Sequence, residues 1–468
     1  MPRAALIILG VAAGLVALIL IGVAIAIATV DPNRFVAPLA ARVKAETGRN
    51  LSVRGPVDFK ISLEPKVVLP GVTFDNAPWS KRGPLLTAKR IEAQIALLER
   101  LGVEVEWVAD NSVRLCAAGV GEIAVDHDLS SKIRASFLLS GPLLARFGEA
   151  RMPPPGGDFI GRRRLDAHLD AFKDLGARVA GDRWIELTAP PGGLRACAIF
   201  MDEPSVMGTE NALMAAALTP GPTTIGNAAC EPHVQDLARL LTKMGAQVDG
   251  IGSNVMTVHG RDRLGGAEHT ISPDHIEVGS FMALAAATAG EVRIRDAGPA
   301  DLVMVRRQFR RLGLESVVEG EDVIVPPGQA LQIKADLGDA IPKIEDGPWP
   351  AFPADLTSIA LALATQAKGE ILIFEKMFEN RLFFVDKLVA MGARITLCDP
   401  HRAIVSGPSR LHGERLESPD IRAGMAILLA ALAAQGESVI HNIGQIERGY
   451  ERIDQRLRGL GAEIRRVE

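Results

Sequence analysis

Apolar residues recur at helical spacing ahead of six Leu-Gly or Met-Gly pairs, and a strand-like run follows each pair. The glycines of these pairs lie 68 to 79 residues apart, at Gly102, Gly176, Gly245, Gly313, Gly392 and Gly461. A glycine after the last helical turn adopts the left-handed backbone of a C-cap at little cost. This spacing predicts six modules, each with two short helices and several strands. It also predicts pseudo-symmetric halves that face each other across a cleft.

The first 30 residues have a different pattern, because Ala4 through Thr29 are almost wholly apolar and carry no charge. This stretch is long enough to cross a bilayer and predicts a transmembrane helix over 4–29, with a cleaved signal peptide as the minor alternative. One basic residue, Arg3, precedes the stretch, and four follow it closely: Arg34, Arg42, Lys44 and Arg49. The excess predicts an anchor in the inner (cytoplasmic) membrane with the body of the chain in the cytoplasm.

Charge and cysteine content exclude several classes of partner. The chain has 468 residues and a net charge of −4, which does not suggest a nucleic-acid partner. Its four cysteines form no Cys-x-x-Cys pair, so neither a disulfide framework nor a zinc site is expected. We therefore expect small-molecule ligands, no nucleic acid and no metal or other cofactor, and we leave the oligomeric state open.

Residues 31–98 lack the repeat. An amphipathic helix is predicted over 36–46, and strand-like runs follow at 51–53, 57–61 and 72–74. Together with the apolar stretch, the motifs DPNRF, ARVKAETGRNLSVRGPV, NAPW and AKRIEAQIALL resemble the N-terminus of the AsmA family of inner-membrane proteins. The long periplasmic body of that family does not follow here.

A second resemblance begins near residue 99 and continues to residue 468. Its motifs, in chain order, are GPLLARFG, PGGDFIGRRRLDAHL, AFPAD, FENR, DIRA and ERGYER. They resemble the UDP-N-acetylglucosamine 1-carboxyvinyltransferases, which are enolpyruvyl transferases. The resemblance implies an α/β fold, a two-domain inverse α/β barrel of βαβαββ repeats with domains at 99–270 and 271–468. The first repeat is expected to be incomplete and to follow the transmembrane helix and the AsmA-like segment.

The reaction implied by this resemblance is transfer of the enolpyruvyl group of phosphoenolpyruvate to the 3′-hydroxyl of UDP-N-acetylglucosamine, which begins peptidoglycan synthesis. Addition followed by elimination needs a proton donor and a base, and two carboxyls in different environments can divide that work. The resemblance assigns these roles to Asp158, in a Gly-Gly-Asp loop, and Asp355, ahead of an apolar helix. A turn aspartate and a first-turn aspartate are the ordinary alternatives. Asp158 stands where many family members have the cysteine that fosfomycin alkylates.

Substrate binding is assigned by the same motifs. Arginine forks suit phosphates and carboxylates, although a single arginine is usually a solvated surface cation. The candidate substrate-binding residues are Arg134, Arg163, Arg164, Leu165, Asp166, Ala167, Ser205, Val206, Met377, Arg381, Asp420, Arg422 and Arg448. We expect His168, which is close by, to be a core histidine as readily as a ligand contact.

One motif of the family is missing, because no Lys-Asn dipeptide occurs in the chain. That lysine and asparagine hold the two substrates in the family, so reduced activity is expected. Three alternatives stay open: a catalytically inactive, membrane-anchored sugar-nucleotide-binding module, a transferase that acts on shikimate 3-phosphate, and an AsmA-like envelope protein.

Overall fold

The computed structural model describes residues 51–53, 58–60, 66–68, 72–74, 91–109, 111–157, 164–181 and 183–467. The chain divides into an N-terminal unit, Met1–Lys89, and a main unit, Arg90–Glu468. Within the described residues, no helix is long and apolar enough to cross a membrane. The predicted transmembrane helix at 4–29 and the amphipathic helix at 36–46 lie outside the described residues.

The N-terminal unit contains four short strands in two antiparallel pairs. β1 (Leu51–Val53) pairs with β4 (Val72–Phe74), and β2 (Asp58–Lys60) pairs with β3 (Lys66–Val68). The three strand-like runs in the sequence therefore correspond to β1, β2 and β4.

The main unit alternates helices with short strands. Its helices are α1 (Ile91–Arg100), α2 (His127–Ser130), α3 (Ser140–Phe147), α4 (Asp166–Asp174), α5 (Val206–Ala217), α6 (Pro232–Lys243), α7 (His275–Ala287), α8 (Val303–Arg311), α9 (Thr357–Ala364), α10 (Val385–Ala390), α11 (Ile421–Ala433), α12 (Gly444–Glu447) and α13 (Ile453–Gly459), with 3₁₀ turns at Arg134–Leu139, Pro299–Leu302 and Ala354–Leu356. Its strands are β5 (Glu104–Ala109), β6 (Ser112–Cys116), β7 (Glu149–Met152), β8 (Arg178–Ala180), β9 (Ile185–Thr188), β10 (Ala198–Phe200), β11 (Gly221–Gly226), β12 (Gln247–Asp249), β13 (Val255–Gly260), β14 (Val292–Ile294), β15 (Val317–Glu319), β16 (Asp322–Val325), β17 (Lys343–Glu345), β18 (Gly369–Phe374), β19 (Ile395–Asp399), β20 (Arg402–Gly407), β21 (Arg415–Glu417) and β22 (Val439–His441).

All six repeat glycines have the left-handed backbone that the pattern predicts. Their φ angles lie between 88° and 111°, and each follows the end of a helix by one or two residues. The five glycines up to Gly392 precede antiparallel strand pairs, for example Val179 opposite Leu187 in β8 and β9. After Gly461, the described residues contain no strand.

The strands show a recurring βαβαββ order. In the sheet β10-β11-β13-β12, the first two strands are parallel and joined by α5, and the last two return antiparallel after α6. The sheet β17-β18-β20-β19 repeats this arrangement with α9 and α10. The described part of the first repeat holds the β5–β6 pair, which is the final hairpin of the same motif.

Two hydrophobic cores fill the main unit. The first lobe is built on buried residues from Leu97 to Val258, and the second lobe on those from Ile276 to Leu457. Helices α7, α9 and α11 pack against one another in the second lobe. They are apolar on nearly every side, and all eight residues of α9 are buried, as expected for helices at the centre of a core. The cores divide between Val258 and Ile276, and the domain boundaries at 99–270 and 271–468 stay predictions.

Candidate active site

Asp355 is shared by two arginines in the second lobe. Arg381 donates from Nη2 to Oδ1 of Asp355, and Arg422 donates from Nε to Oδ2 over 2.9 Å. The side chain of Arg381 is 4% exposed and that of Arg422 is 16% exposed, whereas Asp355 remains 37% exposed. Three of the predicted site residues, from three separate segments, therefore meet at one partly open carboxylate.

Local structure explains how Asp355 is presented. It lies in the 3₁₀ turn Ala354–Leu356, and α9 begins only at Thr357. The apolar helix predicted to start at Leu356 is present, but no side-chain cap bond is made at its start. The carboxylate is free to face the arginines because it is not engaged with the backbone N–H groups of its own helix.

The N-termini of three central helices converge at this carboxylate. Asp420 is the N-cap of α11 and accepts the backbone N–H groups of Arg422 and Ala423. Asp274 is the N-cap of α7, and its negative charge helps to raise the pKa of Arg422. With α9 beginning beside Asp355, the N-termini of three helices lie near the two guanidiniums, and carboxylates cap two of these N-termini. The donors left for an anion are therefore those of the guanidiniums themselves.

The pKa of Asp355 reflects the arrangement of charges around it. Burial would raise the pKa of its carboxyl, but the guanidiniums of Arg381 and Arg422 outweigh burial and hold the pKa well below its usual range. The Nε of Arg381 and the Nη1 of Arg422 are buried and have no hydrogen-bond partner among the described residues. A buried guanidinium N–H without an acceptor is costly, so both groups are suited to an anionic ligand.

A tyrosine holds Arg422 in place from the opposite side. The Arg422 guanidinium lies 5.5 Å from the ring centroid of Tyr450, which is fully buried. The Tyr450 hydroxyl lies 2.8 Å from the hydroxyl of Ser280 on α7. Burial raises the pKa of Tyr450, so its hydroxyl stays protonated at neutral pH.

Two further predicted residues lie on neighbouring segments. Arg448 donates from Nη1 to Oε1 of Gln445 over 2.7 Å, and it precedes Gly449, whose missing side chain would lie 3.5 Å from Nη1 of Arg422. Met377 is 39% exposed on the loop that leads to Arg381. Both side chains are therefore on segments that border the carboxylate.

A second group of predicted residues meets in the first lobe. Arg134 donates to the backbone carbonyl of Arg164 over 2.9 Å. Arg164 in turn donates from Nε to Asp166 over 2.8 Å and lies 3.9 Å from Asp202. These cations are on the surface, where their own ion pairs contribute little stability and are easily exchanged for a ligand.

The start of α5 completes this group. Ser205 is its N-cap and accepts the backbone N–H of Gly208 over 3.2 Å, and Val206 is the first helical residue. A side chain on Gly208 would lie 3.2 Å from Cβ of Ala167, so the first turn of α4 packs against the start of α5. The predicted substrate-binding residues of the first lobe thus come from adjacent segments; they are Arg134, Arg164, Leu165, Asp166, Ala167, Ser205 and Val206.

His168 is a core residue rather than part of that surface. It is buried, its Nδ1 lies 2.8 Å from Nδ2 of Asn211, and burial followed by Arg134 lowers its pKa to about 4. The amide of Asn211 also donates to the carbonyl of Phe137 and accepts the N–H of Gly141. The neutral imidazole therefore serves to connect buried helices.

The remaining predicted residues, Asp158 and Arg163, lie outside the described residues. Conversely, two buried carboxyls beside Arg381, those of Asp346 and Glu375, were missed by sequence reasoning. The available signal was their position, since each directly follows a strand, although only the strand before Glu375 is apolar in sequence. In the described part of the chain, no three His, Cys, Asp or Glu side chains are arranged to hold a metal ion.

Comparisons with solved structures agree with this architecture. The enolpyruvyl transferase NikO from Streptomyces tendae is 25% identical with a TM-score of 0.70, covering 81% of this chain and 88% of that one. An EPSP synthase structure from Acinetobacter baumannii is 17% identical with a TM-score of 0.59, covering 79% of this chain and 87% of that one, and indicates the fold alone. The predicted α/β class is thereby confirmed.

Sequence comparisons resolve the family. The UDP-N-acetylglucosamine 1-carboxyvinyltransferase of Bradyrhizobium diazoefficiens is 54% identical over 85% of this chain and 90% of its own length. That of Treponema denticola is 53% identical over 79% of this chain and 86% of its own length. The chain also matches the family of EPSP synthase (3-phosphoshikimate 1-carboxyvinyltransferase) over residues 81–457, which begins before the predicted residue 99. The chain therefore belongs to the EPSP synthase family and, within it, to the UDP-N-acetylglucosamine 1-carboxyvinyltransferases.

Proposed function

We propose that this chain is an enzyme that transfers the enolpyruvyl group of phosphoenolpyruvate to the 3′-hydroxyl of UDP-N-acetylglucosamine, the first committed step of peptidoglycan synthesis. The observation that carries the proposal is one carboxylate held by two arginines, each with a buried N–H that has no acceptor in the described residues. Phosphoenolpyruvate, with a phosphate and a carboxylate, matches these donors.

The reaction proceeds in two steps, an addition and an elimination. In the addition, a proton is delivered to C3 of phosphoenolpyruvate while the sugar hydroxyl oxygen bonds to C2 and loses its own proton to a base. In the elimination, C3 gives up a proton and the C2–O bond to phosphate breaks, which restores the double bond and releases inorganic phosphate. We assign the base to Asp355 and the proton donor to Asp158, which is the division of work between two carboxyls expected for such chemistry.

Asp355 and the substrate would bind different N–H groups of the same guanidiniums. With both arginines bound to it, the carboxylate has a low pKa and is a weak base. An anionic substrate bound to Arg381 or Arg422 brings its own negative charge close to Asp355, so the pKa of Asp355 rises toward the value a base needs. Substrate binding would thus activate the base.

The direct test is release of inorganic phosphate from phosphoenolpyruvate by the purified protein. We expect release that depends on UDP-N-acetylglucosamine and that is lost in Asp355→Asn. Shikimate 3-phosphate is the control acceptor, and release with it alone would contradict the proposed substrate. Absence of release with either acceptor, together with measurable binding of UDP-N-acetylglucosamine, would support the inactive sugar-nucleotide-binding alternative.

We also propose, from sequence alone, that residues 4–29 anchor the protein in the inner membrane with the enzyme in the cytoplasm. Both substrates are cytoplasmic metabolites, which fits the excess of basic residues after the apolar stretch. Protease added to spheroplasts should leave the body intact while the protein sediments with membranes. Digestion under these conditions, or recovery in the soluble fraction, would contradict this arrangement.

A further inference from the structure

Two buried carboxyls lie side by side beneath the loop that carries Arg381. Asp346 directly follows β17 and Glu375 directly follows β18, and these strands are parallel neighbours with Glu345 opposite Phe374. The carboxyl ends of parallel strands meet at one sheet edge, which brings the two acids together. Asp346 is 1% exposed and Glu375 is 0% exposed.

The pair binds three consecutive backbone N–H groups. Asp346 accepts that of Lys376 through Oδ1 and that of Met377 through Oδ2, the latter over 3.3 Å. Glu375 accepts the N–H of Phe378 through Oε1 over 3.2 Å. Three fixed N–H groups in succession determine the path of the loop at the point where it leaves the sheet.

That path determines where Arg381 lies. The backbone N–H of Arg381 donates to the carbonyl of Phe378 over 3.4 Å, and its guanidinium lies 5.2 Å from the Phe378 ring centroid. Asp346 also forms a β-bridge with Phe352, three residues before Asp355. The two acids therefore lie at the base of both segments that form the Asp355–Arg381 contact.

Only one of the two buried carboxyls is readily ionised. Burial and then the neighbouring Asp346 raise the pKa of Glu375 well above its usual range. The second oxygen of Glu375, Oε2, is buried and has no hydrogen-bond partner within the described residues. The hydroxyl of Thr357, which lies beside it, is also buried and unpaired among those residues. Both oxygens of Asp346 accept backbone N–H groups.

The other ionisable groups around the pair come from three places. Arg381 lies on the same loop, and His401, on the β19–β20 turn, has its Nδ1 2.8 Å from the backbone carbonyl of Glu375. The ammonium of Lys376 lies 3.7 Å from Glu345, outside the buried pair. Arg381 is therefore a cation whose charge acts directly on the pair.

We propose that Asp346 and Glu375 hold a single proton between them, carried by Glu375, and act as positioning residues that hold the Arg381 loop in its substrate-binding conformation, and that loss of this proton releases the loop. The inference rests on the proposed function for its kinetic consequence. Two adjacent buried carboxylates repel each other. Ionisation of Glu375 therefore displaces the loop and moves Arg381 away from Asp355.

The kinetic test compares Glu375→Gln, Asp346→Asn and the control Glu370→Gln. The parent should lose kcat/KM for phosphoenolpyruvate at alkaline pH, and Glu375→Gln, which cannot ionise, should keep it there. Asp346→Asn should raise the KM for phosphoenolpyruvate about tenfold or more, with little change in the KM for UDP-N-acetylglucosamine. Glu370 is exposed on β18 and accepts from Ser406, so its variant should match the parent. An alkaline decline retained in Glu375→Gln would overturn the proposal.

A second measurement is independent of turnover. Infrared spectroscopy of the parent at pH 8 should show the carbonyl stretch of one protonated carboxylic acid, which is absent from Glu375→Gln and present in Glu370→Gln. Lack of that band in the parent would refute the shared proton even if the enzyme is active. If the band is present but no phosphate is released, the proton-sharing pair stands and the proposed function is what fails.

Discussion

Arg422 and Asp355, which are 67 residues apart in the chain, are joined by a 2.9 Å hydrogen bond from Nε to Oδ2. Arg422 follows the N-cap of α11 and Asp355 precedes α9, so the bond ties together the starts of two helices of the second-lobe core. Nη1 of Arg422 is left without a partner in the described residues. One arginine can therefore orient the candidate base and bind a substrate anion at once.

The geometry of this arginine predicts that a lysine cannot replace it. Arg422→Lys keeps the positive charge but loses the fork that serves Asp355 and the substrate together. We expect kcat/KM for phosphoenolpyruvate to fall roughly a hundredfold, which corresponds to about 2.7 kcal/mol. Steady-state phosphate release measures the change. Arg402→Lys, at an exposed ion pair with Asp399, is the control and should retain parent kinetics; equal losses in both variants would argue against a specific role for Arg422.

The repeat glycines predict a graded loss of stability. At Gly313, φ is 88° and an added methyl group would lie 2.4 Å from the backbone nitrogen of Gln332. At Gly245, φ is 111° but nothing lies within 4 Å of that position. Gly245→Ala should therefore cost only the left-handed strain of about 1–2 kcal/mol, and Gly313→Ala distinctly more. Urea denaturation of both variants measures the difference, and equal losses would show that backbone strain alone matters.

These glycines also show which part of the fold can be predicted from the sequence. A helix end that needs a left-handed residue is recognisable from the local sequence, and the six glycines mark six such ends. The meeting of Asp355, Arg381 and Arg422 depends on chain segments far apart, so spacing alone could not predict it, and family motifs did. Neither route found Asp346 and Glu375, because an acid at the end of a strand is ordinarily read as a solvated residue, and only the packed sheet edge shows that the two are buried together.

His168 predicts an acid limit to stability. Its Nδ1 accepts from Asn211, which requires the neutral ring, and its pKa is about 4 in the fold against an ordinary 6.5. The unfolded chain therefore binds a proton first as the pH falls below 6.5, and stability is lost between pH 6.5 and 4. The contribution of this residue should decrease by about 2 kcal/mol from pH 7 to pH 5.

The check for His168 is the difference between two pH series. Urea unfolding of the parent should show a steeper decline in free energy from pH 7 to pH 5 than that of His168→Gln. His275, whose burial also lowers its pKa to about 4, remains in both proteins and cancels in the comparison. Parallel declines would mean that His168 has the same pKa in the folded and the unfolded chain.

Asp158 predicts a change in drug reactivity. If its loop covers the site, Asp158→Cys should place a thiol where fosfomycin can alkylate it, and intact-mass spectrometry should show one adduct. The parent, with a carboxylate there, should stay unlabelled, which is the internal control. Asp158→Asn should abolish phosphate release while calorimetry still detects binding of UDP-N-acetylglucosamine. An unlabelled cysteine variant, or an active Asn variant, would remove Asp158 from the catalytic assignment.

The absent Lys-Asn motif predicts slow turnover. Phosphoenolpyruvate is strongly anionic, and a close charge-assisted hydrogen bond contributes about 1.5–3 kcal/mol, so loss of one cation costs roughly ten- to a hundredfold. The matched comparator is the Bradyrhizobium diazoefficiens relative, which is 54% identical. Under the same conditions, this chain should release phosphate at least about tenfold more slowly.

Replacement of residues 1–98 by a complete first repeat, with its lysine and asparagine, should restore the rate if the lost cation is the cause. The same graft with that lysine changed to alanine is the control, and it should stay slow because only the charge differs. A native chain that already matches the comparator would instead mean that another cation serves the site. The matched family region begins at residue 81, so Lys81, Arg82, Lys89 and Arg90 would then be the first to replace with alanine. A loss of rate in one of those variants, with the KM for phosphoenolpyruvate raised and that for UDP-N-acetylglucosamine unchanged, would identify the substitute.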